Sequence, residues 1–190
     1  MGADQVSESL YACVHVPGFA TQALTRLRPE LARRPVVVVA GDPPLEQVCS
    51  ANAHARSLGV SQGMTRAELD SFPGLTVLRR SETEEQLACA ALLETAGAFT
   101  PRIEIQASSA SAFVMVLDMT GTRLIFGPAL QALHGIAHAL ATLRFVVRLG
   151  ASANFQAAVS SAPSARTSAN LTLSPRADAR RCRKSRSPSR

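Results

Sequence analysis

Tyr11 to Leu24 reads YACVHVPGFATQAL, an apolar strand that breaks at Pro17-Gly18 and passes into a helical pattern. A chain that opens this way is committed to a β-α unit, because the two patterns bury different faces and need a turn between them. A strand that delivers its last side chains into a helix-opening turn is also a common mount for catalytic groups. Here that mount carries His15, Val16 and Pro17, and no carboxylate.

Beyond it the pattern alternates. Periodicity predicts strands over 10–16, 35–40 (PVVVVA, a buried strand), 46–50, 75–79, 102–106 and 112–118, and a last one in RFVVRLGAS. Helices are expected over 19–33, 51–57, 64–71, about 82–98 and 128–142, with a weak one from Asn154. Ser81 followed by Glu84 reads as a capping box for the fourth of these. GDPPLE and DMTGT are turns by composition. The order predicts an α+β domain, a mixed sheet with helices on one face, interrupted by a small helical insertion at about 43–75. From about Ser160 large apolar residues all but vanish. The boundaries are therefore an N-terminal tail over 1–9, one domain over 10–162, and a disordered basic Ser/Arg-rich tail over 163–190.

Charge sharpens this division. The chain has 190 residues with 20 basic and 14 acidic side chains, a net charge of +6. Residues 176–190 hold seven of the basic residues against Asp178 alone, so residues 1–175 are neutral. The high isoelectric point describes the tail and gives no sign of a basic face on the body. Such a tail could bind nucleic acid, RNA included, through phosphate. Four widely spaced cysteines (Cys13, Cys49, Cys89, Cys182) form no CxxC pair, which argues against a zinc site or a disulfide framework and suits the cytoplasm. No apolar run reaches the roughly 20 residues of a membrane span, and the start lacks a signal-peptide pattern. His134 and His138 have metal-ligand spacing on a helix, but without a third ligand they read as a surface pair. Cys13 on an apolar strand reads as core.

The stretch SANAHARSLGVSQGMTRAELDSFPGL is more specific. Asn52, Ala55, Arg56, Gly59, Val60, Gly63 and Met64 follow without a gap the N-Y-E-A-R-x-x-G-V-x-x-G-M pattern of Y-family DNA polymerases, which this chain resembles. RPELARRPVVVVAG, LDMTGTRLIFG and GASANFQAA are similar to further landmarks of that family, in order, so the resemblance covers about residues 10–162. It implies a polymerase-type palm with a fingers insertion. It also implies a truncated or frame-shifted copy, with the thumb beginning near the tail and the little finger absent.

The resemblance also says what His15 replaces. Polymerases of this kind clamp two metal ions with carboxylates to activate the primer hydroxyl and neutralise the triphosphate. The family's first aspartate falls at His15, and its aromatic steric gate at Ala20. No acidic residue lies between Glu8 and Glu30, and between Glu104 and Asp118 the chain reads IQASSASAFVMVL, without a carboxylate. The triphosphate-binding tyrosine is Ala53 and a later lysine is Val159, leaving Asn52 and Arg56 as nucleotide- or phosphate-facing residues and Asp118, Thr120 and Gly121 as the palm motif. Neutral imidazole cannot replace three carboxylates around Mg²⁺. The pattern looks most like the ImuB-like, catalytically degenerate branch. That likeness implies a bacterial, non-catalytic accessory of translesion synthesis with no metal cofactor. Its partners would be DNA, an error-prone C-family polymerase, a RecA-like accessory protein and the sliding clamp. The alternative is an active translesion polymerase fragment using Mg²⁺, for which Asp118 and Glu104 are the only local carboxylates.

Overall fold

The computed structural model describes residues 9–31 and 33–163 and the short strand at 172–173; the remainder of the basic tail and residues 1–8 lie outside the described residues. The molecule is built on β1 (Tyr11–Pro17). Pro17 has no N–H to continue a ladder, and Gly18 turns the chain at φ 61°, a left-handed conformation that a side chain would oppose. Helix α1 (Phe19–Thr25) follows. It is shorter than the expected 19–33. Pro29 cannot sit inside a helix and drives Arg28 out of the helical region, so the chain continues as a 3₁₀ turn at Pro29–Leu31.

The four valines of β2 (Val36–Ala40) are almost wholly buried, and they lie in a sheet of their own. Its other members are β3 (Gln47–Ala51), antiparallel to β2, and β4 (Thr76–Arg79), parallel to it. Between them come α2 (Ala53–Ser57) and the one-turn α3 (Arg66–Leu69). Val37 and Val39 pack under Ala55, Val60 and Leu69, while Val38 meets Ala20 and Leu24 of α1 on the opposite face. The helical segment expected at 43–75 thus contains a strand, β3, and is carried on a sheet whose central strand β2 precedes it and whose edge strand β4 follows it. A reciprocal capping box opens α3, with Thr65 N donating to Glu68 Oε2 (2.6 Å) and Glu68 N to Thr65 Oγ1 (3.4 Å). At Ser81 half of that motif forms, Glu84 N donating to Ser81 Oγ.

After α4 (Glu82–Gly97) the chain forms the hairpin β5 (Ile103–Ser108) and β6 (Ala112–Asp118), then the single-turn α5 (Arg123–Phe126), α6 (Ala129–Thr142), β7 (Arg148–Ser152), α7 (Phe155–Ser161) and the two-residue β8 (Thr172–Leu173). The main sheet runs β5-β6-β1-β7-β8, antiparallel throughout except for the last pair. The fold is α+β with a mixed main sheet, as the sequence predicted, and the hairpin and first strand are neighbours in it. Val14, Val16, Phe113, Met115 and Leu117 meet Leu92 of α4 and Leu133, Ile136 and Leu140 of α6 on one face. The opposite face carries α7 over Cys13 and Val116. A Cβ at Gly150 would lie 2.8 Å from Ala162 N, so glycine is what lets α7 approach β7 so closely. Burial pushes the Cys13 thiol up to about 12, which makes it a packing group. No helix among the described residues is long and apolar enough to cross a membrane.

Candidate functional site

Alternation along β1 sends Ala12, Val14 and Val16 into the helical core and leaves His15 on the opposite face with Tyr11 and Cys13. In register with His15 stand Val114 of β6 on one side and Arg148 of β7 on the other. Directly paired residues share a face, so the imidazole is flanked by an aliphatic side chain and a guanidinium. Burial first, then the Arg148 charge, hold the His15 imidazole below the usual histidine range. Its Nδ1 is buried with no hydrogen-bond partner among the described residues, as is Arg148 Nε. Arg148 Nη1 donates to Pro163 O (2.6 Å), which ties the guanidinium to the end of α7.

This arrangement does not fit a magnesium site. The cation needs charged oxygen donors, and the strands present a weakly basic nitrogen, an isopropyl group and a positive charge. Among the described residues no three His, Cys, Asp or Glu side chains converge on a point. Glu104 and Asp118, the carboxylates of the alternative reading, do line a common shallow cavity of about 340 Å³ with Tyr11 and Phe155. Asp118 is four residues along β6 from Val114, about 13 Å away. Its carboxylate is engaged: Oδ1 accepts from Thr120 N (2.9 Å), and Oδ2 lies 3.4 Å from Arg102 Nη1. Arg102 Nη2 also donates to Thr120 O (2.8 Å), Leu10 N donates to Thr120 Oγ1 (3.3 Å), and Gly121 supplies the positive φ of 82°. Asp118, Thr120 and Gly121 thus build the turn that closes one end of the sheet.

The other end of β1 is where the two sheets meet. Gly18 N and Ala20 N donate to Ser111 O (2.7 Å) and Ala110 O (2.9 Å), so the β5–β6 hairpin tip is seated on the β1–α1 turn. Ala20 is fully buried against Val38 and Ala110. From α2 of the inserted lobe, Arg56 Nη1 donates to Ala51 O (2.8 Å) and lies 3.8 Å from the point that a Cβ at Gly18 would occupy. Gly18, Ser50, Arg56 and Ser111 border a cleft of about 390 Å³ between the sheets. Asn52 is committed to the backbone: its Oδ1 accepts from Ala55 N (2.9 Å) and Val36 N (3.1 Å), and its Nδ2 donates to Arg34 O (2.7 Å). The structure therefore brings Arg56 to the end of β1 that holds His15 and leaves Asp118, Thr120 and Gly121 at the opposite end. His134 and His138 are exposed on α6, away from the sheet face.

Three residues of this junction carried no motif. Arg148 became visible only through strand register. Gln22 Nε2 donates to Pro17 O (2.7 Å) and Val146 O (2.9 Å), while its Oε1 accepts from Val146 N (2.8 Å), locking the end of β1 to the loop before β7. Thr21 Oγ1 shares a buried 2.7 Å hydrogen bond with Ser50 Oγ, joining α1 to the inserted sheet.

A largely antiparallel sheet, with a hairpin seated on its first β-α turn and a second small sheet inserted after α1, is the architecture of a polymerase-type palm domain. The chain belongs to the impB/mucB/samB family of Y-family polymerases, whose family model matches residues 14–161. Among solved structures it is similar to DinB from Sulfolobus solfataricus, with a TM-score of 0.73 at 18% identity over 87% of this chain and 48% of that one. It is also similar to Dbh DNA polymerase in a post-insertion binary complex, with a TM-score of 0.75 at 20% identity over 88% of this chain and 48% of that one. The chain spans about half the length of these structures. A search of curated protein sequences gives no significant match.

Proposed function

We infer that this Y-family domain serves DNA-damage bypass as a non-catalytic accessory of the ImuB-like kind, a scaffold for an error-prone polymerase. One observation carries the reading: where the fold would hold metal-binding carboxylates, Arg148 stands beside a His15 kept uncharged. A positive charge next to the site repels Mg²⁺ as well as failing to bind it. With the two-metal clamp absent, the largest source of charge stabilisation for phosphoryl transfer is gone.

On this reading β2 to β4 form the fingers lobe of a palm spanning 10–162, and DNA is the shared ligand. An error-prone C-family polymerase, a RecA-like protein and the sliding clamp are the proposed protein partners. Arg56, beside Gly18, is the residue best placed to meet a phosphate in the cleft, while Asn52 positions the backbone beneath it. The test measures binding of a labelled template-primer and its extension with Mg²⁺ or Mn²⁺ side by side. Binding with extension at background supports the scaffold reading. Extension that is abolished by Asp118→Ala would overturn it in favour of an active fragment. That second reading draws on the common cavity of Glu104 and Asp118.

A further inference from the structure

The two histidines of α6 take no part in the site on the sheet. Packing sets where they stand. Helix α6 turns Leu133, Ile136 and Leu140 into the core, and Gly135 lies against Phe99, where a Cβ would come within 3.2 Å of the ring. These contacts fix the rotation of the helix about its axis. At about 100° per residue, His134 and His138 then fall about 40° apart on the side away from the buried stripe. Both are exposed.

The fold itself has no use for them. The rest of α6 is Ala, Leu, Ile, Gly, Gln and Thr, without an acidic or basic side chain. Histidine is a poorer helix former than the alanine and leucine that dominate the segment. Among the described residues the helix's one side-chain hydrogen bond runs from Thr142 Oγ1 to Ala139 O (2.6 Å), so neither imidazole is engaged. The exposed neighbours Gln131, Ala141 and Thr142 are uncharged, so nothing on the helix repels a cation from the pair.

We propose that His134 and His138 chelate one late first-row divalent ion, of the class of Zn²⁺, Ni²⁺ or Cu²⁺. Residues at i and i+4 on a helix have Cβ atoms about 5–6 Å apart, and two histidines at that spacing close on one metal with nitrogen bonds of about 2.0–2.1 Å. The convergence is thus set by the helix itself. Imidazole nitrogen favours these ions over Mg²⁺, which takes oxygen ligands. No third His, Cys, Asp or Glu joins the pair among the described residues, so the remaining coordination positions stay open to water or to a donor from outside. The spacing exists only while α6 is helical, so a bound ion clamps that helix. The pair lies across the sheet from His15, and the proposal holds whether or not the scaffold reading does.

The test titrates the full-length protein with Ni²⁺ by calorimetry, beside His134→Gln, His138→Gln and, as a control, a variant of the exposed His54, His54→Gln. The cysteines and the basic tail are common to all four proteins. Loss of either ligand turns a chelate into a single contact, so affinity should fall about a hundredfold in each α6 variant and stay unchanged in His54→Gln. Ni²⁺ should also raise the melting temperature of the wild type and leave that of the two α6 variants where it was, all three proteins melting alike without metal. A fall below about threefold in either α6 variant would overturn the shared site. A melting response to Mg²⁺ equal to that to Ni²⁺ would overturn it as well.

Discussion

His15 and Arg148 face each other as a directly paired couple on β1 and β7, so the guanidinium stands beside the imidazole on the same face of the sheet. Register makes this pairing consequential. A guanidinium two strands away would scarcely reach the imidazole, whereas one in the adjoining pair sets a positive charge directly beside it.

The pairing gives stability a pH dependence. His15 has its folded pKa depressed below its ordinary value of 6.5 by burial and by Arg148. The unfolded chain therefore takes up the proton more readily, and the contribution of His15 is complete above pH 6.5 and lost as pH falls below it. Urea midpoints recorded between pH 5 and 8 should drop on the acid side. His15→Gln should flatten that drop; an unchanged slope would assign it to other groups.

Placing one carboxylate at position 15 is not expected to create a metal site. In His15→Asp the new acid pairs with Arg148 and is neutralised in place. Manganese titration followed by electron paramagnetic resonance should show no gain in bound ion. A gain on His15→Asp alone would show that Arg148 does not control the site.

Ala20 seals the junction between the two sheets, with Val38 and Ala110 against it. Ala20→Tyr should cost about 1–3 kcal/mol through overpacking. Denaturant unfolding reads the loss directly, and a neutral result would mean that the junction opens easily.

Arg80 at the end of the inserted sheet grips Glu85 of α4 with two hydrogen bonds, Nε–Oε1 and Nη2–Oε2, both 2.8 Å. This paired contact holds Arg80 firmly protonated and ties the lobe to the body. Glu85→Ala should cost about 2 kcal/mol. Hydrogen exchange should rise in β4 and the first turn of α4 while β1 and β6 stay protected; uniform loss of protection would argue against a local tie.

Much of the molecule is legible in the local pattern of residues. Alternation gave β1 and β6, the apolar run of four valines gave a strand covered on both faces, and the spacing from Asn52 to Met64 gave the family. That residues 105–117 hold no carboxylate could be read as well, since it does not depend on how the chain folds. Other features were decided by tertiary structure alone. Periodicity predicts that Val36–Ala40 is buried but not in which sheet, because β2 is equally apolar on either face. The end of α1 turned on Pro29, a local signal outweighed by the helical pattern around it. Arg148 looks like an ordinary surface arginine in the linear chain. Only strand register sets it beside His15. Side-chain neighbours across a sheet are fixed by pairing between segments more than a hundred residues apart, and no local period encodes that pairing.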